Sequence, residues 1–241
     1  MTRGIYAGAT GMHAQQLALD VIAGNLANAN STAFKSDRLS FREALDREVH
    51  APGEAATRTV GRLGGGAVVE GRTMLGTQGA LIPTGNALDV AIEGEGYFSV
   101  RTPAGVRYTR AGSFQVDATG MLTTRDGHPV LGSNGPIQVP RGATPTIDPT
   151  GLVQAGGATL DRLAVVTGDL TKAGNGLYVG AAKPLANPRL EPGYLEASNV
   201  NAVTEMVHMI ATLRVFEANQ RVVQAQDETL QKAVNDLARL G

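Results

Sequence analysis

The side chains with catalytic chemistry in this 241-residue chain are few and dispersed. Glu93 and Glu95 stand close enough to suggest a general acid–base pair, but such a pair needs an apolar pocket that lifts one pKa, and a Gly-flanked pair on a β turn reads as a solvated corner. His13, His50, His128 and His208 are scattered, with none at the i, i+4 spacing of a helical metal site. Gly64-Gly65-Gly66 lacks the Gly-Lys-Ser/Thr ending of a phosphate loop, and Gly94-Glu95-Gly96 lacks the third glycine and following helix of a dinucleotide site, so both read as turns. A Gly-x-Ser-x-Gly nucleophile elbow is missing too. With no cysteine, the chain has no thiolate ligand, no Cys nucleophile and no disulfide framework, and the redox compartment is left open. A non-enzyme with no cofactor and no metal is expected.

The more informative polar residues carry hydrogen-bonding chemistry. Asn25, Asn28 and Asn30 lie where an apolar helical pattern ends, as C-caps and turn formers or as amides bridging to a neighbouring subunit. Phe34 reads as a packing anchor and Lys35 as its solvated neighbour, with an intersubunit contact as the sharper alternative. Ser198, Asn199 and Asn201 precede the last helical pattern and read as its caps, with subunit contact as an added role.

The elements that must position these residues fall into three textures. From Ile5 to Ala29 apolar residues recur at helical spacing, with a heptad row Ile5, Met12, Leu19, Leu26 and a second row Gly8, Gln15, Ile22, Ala29. Gly4, Gly8, Gly11 and Gly24 each cost such a helix about 1 kcal/mol against Ala. The segment is therefore expected to stay disordered until a partner covers it. Between about Thr57 and Leu190 the pattern is short alternating runs broken by Gly, Pro and Asp. Leu88–Ile92 alternates, Tyr97–Arg101 and Val106–Arg110 flank a Pro-Ala-Gly turn, and Ser113–Val116, Met121–Thr124 and Pro129–Leu131 follow as short strands. From Ser198 to Leu240 the helical period returns. Ala202, Met209, Phe216, Val223, Leu230 and Leu237 form an apolar row, and its companion row reads Met206, Leu213, Gln220, Asp227, Val234. A helix of roughly 40 residues runs about 60 Å, so it must project or pack along a neighbour.

The expected fold is α+β: N- and C-terminal helices forming a coiled-coil-like layer around an inserted, mainly antiparallel β domain. The segments are 1–45, a helix with its turn; 46–84, an extended β-rich linker; 85–192, the β domain; and 193–241, the C-terminal helix. Net charge is only −1, without a Lys/Arg cluster, which argues against nucleic acid and membrane surfaces as partners. Glycine, at 31 residues, is in excess, and sixteen of these lie between Gly61 and Gly135 as β-turn residues. The N-terminus lacks the features of a cleaved secretory signal, and its uncharged opening stretch is too short and polar to span a membrane.

Four blocks resemble the bacterial flagellar rod and hook proteins. Asn25-Leu-Ala-Asn-Ala-Asn-Ser-Thr-Ala-Phe-Lys35 is similar to the family's signature N-L-A-N-x-N-T-x-G-F-K, with Ala33 where the family has Gly. Leu88–Val100, Tyr108–Gly132 and Gly193–Ile210 resemble its middle and C-terminal blocks. Length and the opening Arg3-Gly4-Ile5-Tyr6 look most like proximal rod subunits, with distal rod or hook subunits the near alternative. A cell-wall-acting β domain is the remote one, lacking aromatic platforms and an acid pair. The resemblance implies a structural subunit exported by the flagellar type III apparatus without cleavage. It would be polymerised in the periplasmic rod with itself and other rod subunits through its terminal helices. The implied interface comprises Ile5, Met12, Leu19, Leu26, Asn25, Asn28, Asn30, Phe34, Lys35, Ser198, Asn199, Asn201, Met209, Phe216, Val223, Leu230 and Leu237.

Overall fold

The computed structural model describes residues 2–43, 47–50, 59–63 and 67–239, in two compact units. Every strand pairing among them is antiparallel. The side chains of Ile5, His50, Val234 and Leu237 and the Gly64–Gly66 run lie outside the described residues.

The first unit joins both chain ends to a β ribbon. It contains α1 (Thr2–Ala27), β1 (Asp37–Glu43), β2 (Arg47–His50), β3 (Thr59–Leu63), β4 (Ala67–Met74) and, from the other end of the chain, α2 (Ala202–Arg239). β1 pairs with β4 across a register shift at Ser40/Phe41, and β2 pairs with β3. Much of the segment read as a linker from residue 46 is therefore paired strand. α1 packs on α2 and on the β1–β4 ribbon, so its own chain supplies part of the cover its glycines call for. A Cβ at Gly8 would stand 2.8 Å from Val223 and one at Gly11 3.2 Å from the Asn219 amide, which sets the two helices antiparallel. Here glycine lets the two helix backbones approach closely.

α2 buries a narrow seam. Its half-buried described positions are Ala202, Glu205, Met209, Thr212, Phe216, Asn219, Val223, Gln226 and Leu230, at alternating steps of three and four. One row is the apolar heptad expected. The other is polar and replaces the expected companion row, whose Met206, Leu213, Gln220 and Asp227 are exposed. The reason is geometric: a seam's second row lies three residues after or four after the first according to where the partner sits, and the apolarity of Met206 and Leu213 does not decide it.

The second unit holds residues 28–36 and 76–200. Its strands are β5 (Leu81–Pro83), β6 (Val90–Glu93), β7 (Tyr97–Thr102), β8 (Gly105–Thr109), β9 (Phe114–Val116), β10 (Leu122–Thr124), β11 (Leu131–Gly132), β12 (Gly135–Pro136), β13 (Pro145–Ile147), β14 (Leu152–Ala155), β15 (Ala158–Arg162), β16 (Val165–Gly174), β17 (Leu177–Pro184), β18 (Arg189–Pro192) and β19 (Tyr194–Glu196). Strands β16-β17-β8-β7 close into a four-stranded barrel, β6 pairs with β18, and β5 with β19. The β7–β8 hairpin turns at Pro103-Ala104, as its Pro/Gly chemistry predicts. The hairpins β9–β10 and β13–β14 share one turn: the first Asp of Asp-x-Thr-Gly accepts from the Thr N–H and hydroxyl and from a backbone N–H four residues on, at Asp117 and again at Asp148.

An aliphatic core with the edge-on pair Phe98–Phe114 at its centre fills this unit, joined by Val90, Ile92, Val100, Leu122, Val130 and Val153. The alternation of Leu88–Ile92 does not mark one wet face. Asp89, Val90, Ala91 and Ile92 are all buried, and Asp89 is held by the Asn86 amide.

Candidate functional site

The chain segments that lead toward the helices converge on one buried polar cluster in the second unit. Its centre is Glu196, the last residue of β19. Lys35 Nζ donates to Glu196 Oε1 at 2.6 Å and to the Thr77 carbonyl at 2.8 Å. Arg110 Nε donates to Glu196 Oε2 at 2.7 Å, and the Gly79 N–H donates to Oε1 at 2.9 Å. The remaining Arg110 donors reach the carbonyls of Gly96, Ile92 and Gly94, binding the turn between β6 and β7. The side chains of Lys35, Glu196 and Arg110 are 2%, 1% and 4% exposed. Long charged side chains are buried this fully only when paired.

The reading of Lys35 as solvated is thereby corrected. It is buried inside its own chain because a carboxylate and a carbonyl wait for its ammonium, while the Phe34 ring lies under the ammonium of Lys172 at 4.2 Å. Lys172 also donates to the Lys35 carbonyl. Burial lowers the Lys35 pKa from its ordinary 10.5, and the hydrogen bond and charge of Glu196 offset only part of that. Burial pushes the Glu196 carboxyl up, but Arg110, Lys35 and the Gly79 N–H outweigh it and hold the group below its ordinary 4.5.

Asn199 sits beside the cluster and knits three strands of chain. Its Oδ1 accepts from the Ser36 N–H at 2.7 Å, its Nδ2 donates to the Thr77 carbonyl and hydroxyl at 3.1 and 3.0 Å, and its own N–H donates to the Phe34 carbonyl at 3.1 Å. The cap of α2 is therefore Asn201, whose Oδ1 accepts the Thr204 N–H, and not Asn199. Ser198 Oγ accepts from the Val200 N–H in the turn just before.

The N-terminal amides divide their tasks. Asn25, buried in the first unit, clamps Asp37 from both sides, donating to its carbonyl and accepting from its N–H at 2.9 Å each. The Asp37 carboxylate is paired with Arg72. Asn28 accepts from the N–H and hydroxyl of Ser31, and Asn30 is exposed. Ala33 has φ +54° and is buried, so the position where the family carries Gly adopts the left-handed conformation with an alanine in it. Met12, Leu19 and Leu26 are half-buried on α1, as are Met209, Phe216, Val223 and Leu230 on α2.

The outer side of α2 is a second candidate site. Val203, Met206, Val207, Ile210 and Leu213 cover three turns of it and are 42–67% exposed, and Val215 and Val222 follow on another row. On the same unit an open, largely apolar groove of about 560 Å³ is lined by Tyr6, Thr10, His13, Leu17, Val68 and neighbours. Among the described residues, no cluster of three or more His, Asp and Glu side chains could hold a metal, and no helix is long and apolar enough to cross a membrane. Glu93 and Glu95 are exposed.

Three family models match in chain order: a flagella basal body rod protein model over residues 5–35, the flagellar hook protein FlgE/F/G D1 domain over 91–155, and the flagellar basal body rod FlgEFG protein C-terminal model over 191–237. Lys35, Arg110 and Glu196 come one from each. The chain is 35% identical over 266 residues to the flagellar basal-body rod protein FlgG of Bacillus subtilis, covering 98% of this chain and 99% of that one. It is 32% identical to the FlgF proteins of Rhizobium meliloti, at 98% coverage of both chains, and of Caulobacter vibrioides, at 100% of this chain and 99% of that one. With its buried cluster assembled from all three matched segments and its length shared with these relatives end to end, the chain belongs to the flagellar basal-body rod protein family.

Proposed function

We propose that the chain is a non-enzymatic structural subunit of the flagellar rod, polymerised through its terminal helices. The observation that carries this reading is the outer side of α2. A helix with an apolar seam on one side and Val203, Val207 and Ile210 more than half exposed on another is built for burial on more than one side, and its own chain covers one. Exposed contiguous apolar surface of this kind marks protein–protein contact. In the assembled rod the terminal helices form a coiled-coil-like inner layer. Met12, Leu19, Leu26, Met209, Phe216, Val223 and Leu230 form the seam within each subunit, and the Val203–Leu213 stripe meets the next one. Asn28 and Asn30 lie at the turn that follows α1, within reach of a neighbour. Partners are other rod subunits and further copies of this chain, reached after export through the flagellar type III apparatus into the periplasm. Length and the opening residues favour the proximal position.

Site-specific crosslinking tests the reading, and the absence of native cysteine makes it clean. A single cysteine at Ile210 is expected to crosslink to a rod subunit in intact basal bodies, and the partner's identity assigns proximal or distal position. Crosslinks confined to non-rod proteins, or no rod incorporation of the tagged chain, would refute it.

A further inference from the structure

We infer that residues 28–36 form a clasped strap, fastened to the second unit by charge and amide hydrogen bonds and able to open as one piece while the β body stays folded. This inference stands apart from the assembly reading and does not depend on it.

The base of the strap is closed. Asn25 holds both backbone groups of Asp37, so the residues on either side of the strap stay pinned together when the loop between them moves. The strap adds little to the apolar core: the cluster around Phe98 and Phe114 has no member between residues 28 and 36, and Ala33 is the strap's one fully buried apolar side chain. What fastens the strap is a short set of polar links. They include Ala33 N–H to the Glu196 carbonyl at 2.7 Å, Asn199 N–H to the Phe34 carbonyl, Ser36 N–H to the Asn199 side chain, the Lys35 ammonium to Glu196 and Thr77, and the Lys172 ammonium to the Lys35 carbonyl and over the Phe34 ring.

The receiving side is arranged so that losing the strap leaves few groups orphaned. When Lys35 withdraws, Glu196 keeps Arg110 on one oxygen and the Gly79 N–H on the other. Arg110 keeps its three carbonyls, and the Thr77 carbonyl keeps the Asn199 amide. Leaving a buried charge without a partner is what makes most buried pairs hard to break, and here that penalty is avoided. Opening also returns the ammonium to water and relieves the left-handed alanine at residue 33. The strap's own fastening is therefore weaker than the body it lies on.

Native-state hydrogen exchange on the full chain, followed residue by residue across low denaturant, tests this. The Ala33 and Ser36 amides are expected to exchange at least tenfold faster than those of Leu122 and Val130, which lie in the core hydrogen-bond network, with rates that barely depend on denaturant. Lys35→Met removes the charged clasp while leaving Glu196 with Arg110. It is expected to speed Ala33 and Ser36 exchange about fivefold, the scale of one net hydrogen bond, with rates that still barely depend on denaturant. Strap amides that follow the same denaturant dependence as the core would overturn the inference, as would a Lys35→Met variant whose strap amides exchange at the wild-type rate. If that variant does not fold, the wild-type denaturant series decides alone.

Discussion

Two buried cations share one carboxylate at Glu196, and that imbalance sets what each substitution does. Glu196→Gln leaves Arg110 and Lys35 without a countercharge and is expected to cost about 3–5 kcal/mol. Lys35→Met leaves the other pair intact and is expected to cost about 1 kcal/mol, the scale of one net hydrogen bond. Urea titration followed by tyrosine fluorescence measures both, and equal losses would refute the asymmetry. The same group gives an acid limb. Because Glu196 is held below its ordinary 4.5, its contribution is fully present above that value and is lost as pH falls through the folded one. Lys35 works the other way round the scale: below 10.5 the unfolded chain keeps a proton that the native site gives up, so stability rises with pH through that window. Unfolding free energy measured against pH should fall in acid for the wild type and flatten in Glu196→Gln. At Ala33 the left-handed backbone tolerates a methyl but not a branched side chain. Ala33→Val is expected to lose about 1–3 kcal/mol, and Ala33→Gly to stay within about 1 kcal/mol of wild type in the same titration. None of the cluster was legible along the chain. Lys35 and Glu196 stand 161 residues apart, and a lone lysine after a turn carries no sign of a carboxylate that the fold will bring to it. The matched blocks ending at Lys35 and opening before Glu196 were legible, but as a resemblance and not as a contact.

At the level of elements, the two helices were readable because a 3.6-residue period survives any tertiary context. The row Met209, Phe216, Val223 and Leu230 lies half-buried as its spacing predicts. The polar row beside it was not readable, since Thr212, Asn219 and Gln226 look like surface residues until α1 is laid against them. The β7–β8 hairpin and the short strands on either side of Asp117-Ala-Thr-Gly120 were found from turn chemistry, which is local, while the matching turn at Asp148 was not picked out. Barrel closure and the pairing of β5 with β19 are long-range and left no local mark. The glycines of α1 separate by what faces them. At Gly24 an added Cβ meets nothing within 4 Å, so Gly24→Ala is expected to gain about 1 kcal/mol of helix propensity. At Gly8 the Val223 side chain stands in the way, and Gly8→Leu is expected to lose about 1–3 kcal/mol through overpacking. Helix melting by circular dichroism compares them, and a shift of the same sign in both would contradict the assignment of Gly8 to the interhelix contact.

For the molecule as a whole, the helical ends and the β body carry separable duties. Deleting residues 225–241 removes one end of the α2 seam, including Leu230, and no part of the second unit. The truncated chain is expected to keep its β structure by circular dichroism and to fail to enter the rod, so that cells carrying it do not swim; motile cells would show that this part of the seam is dispensable. The closed barrel bears on the same division. Strands β7, β8, β16 and β17 close into a ring, in which β16 meets β7 at Val165 and Val166 and β17 meets β8 at Leu177 and Tyr178, while the rest of the β16–β17 hairpin is paired within itself. Where the ring is closed its strands are already paired on both sides, and that end of the barrel is guarded against strand exchange with another chain.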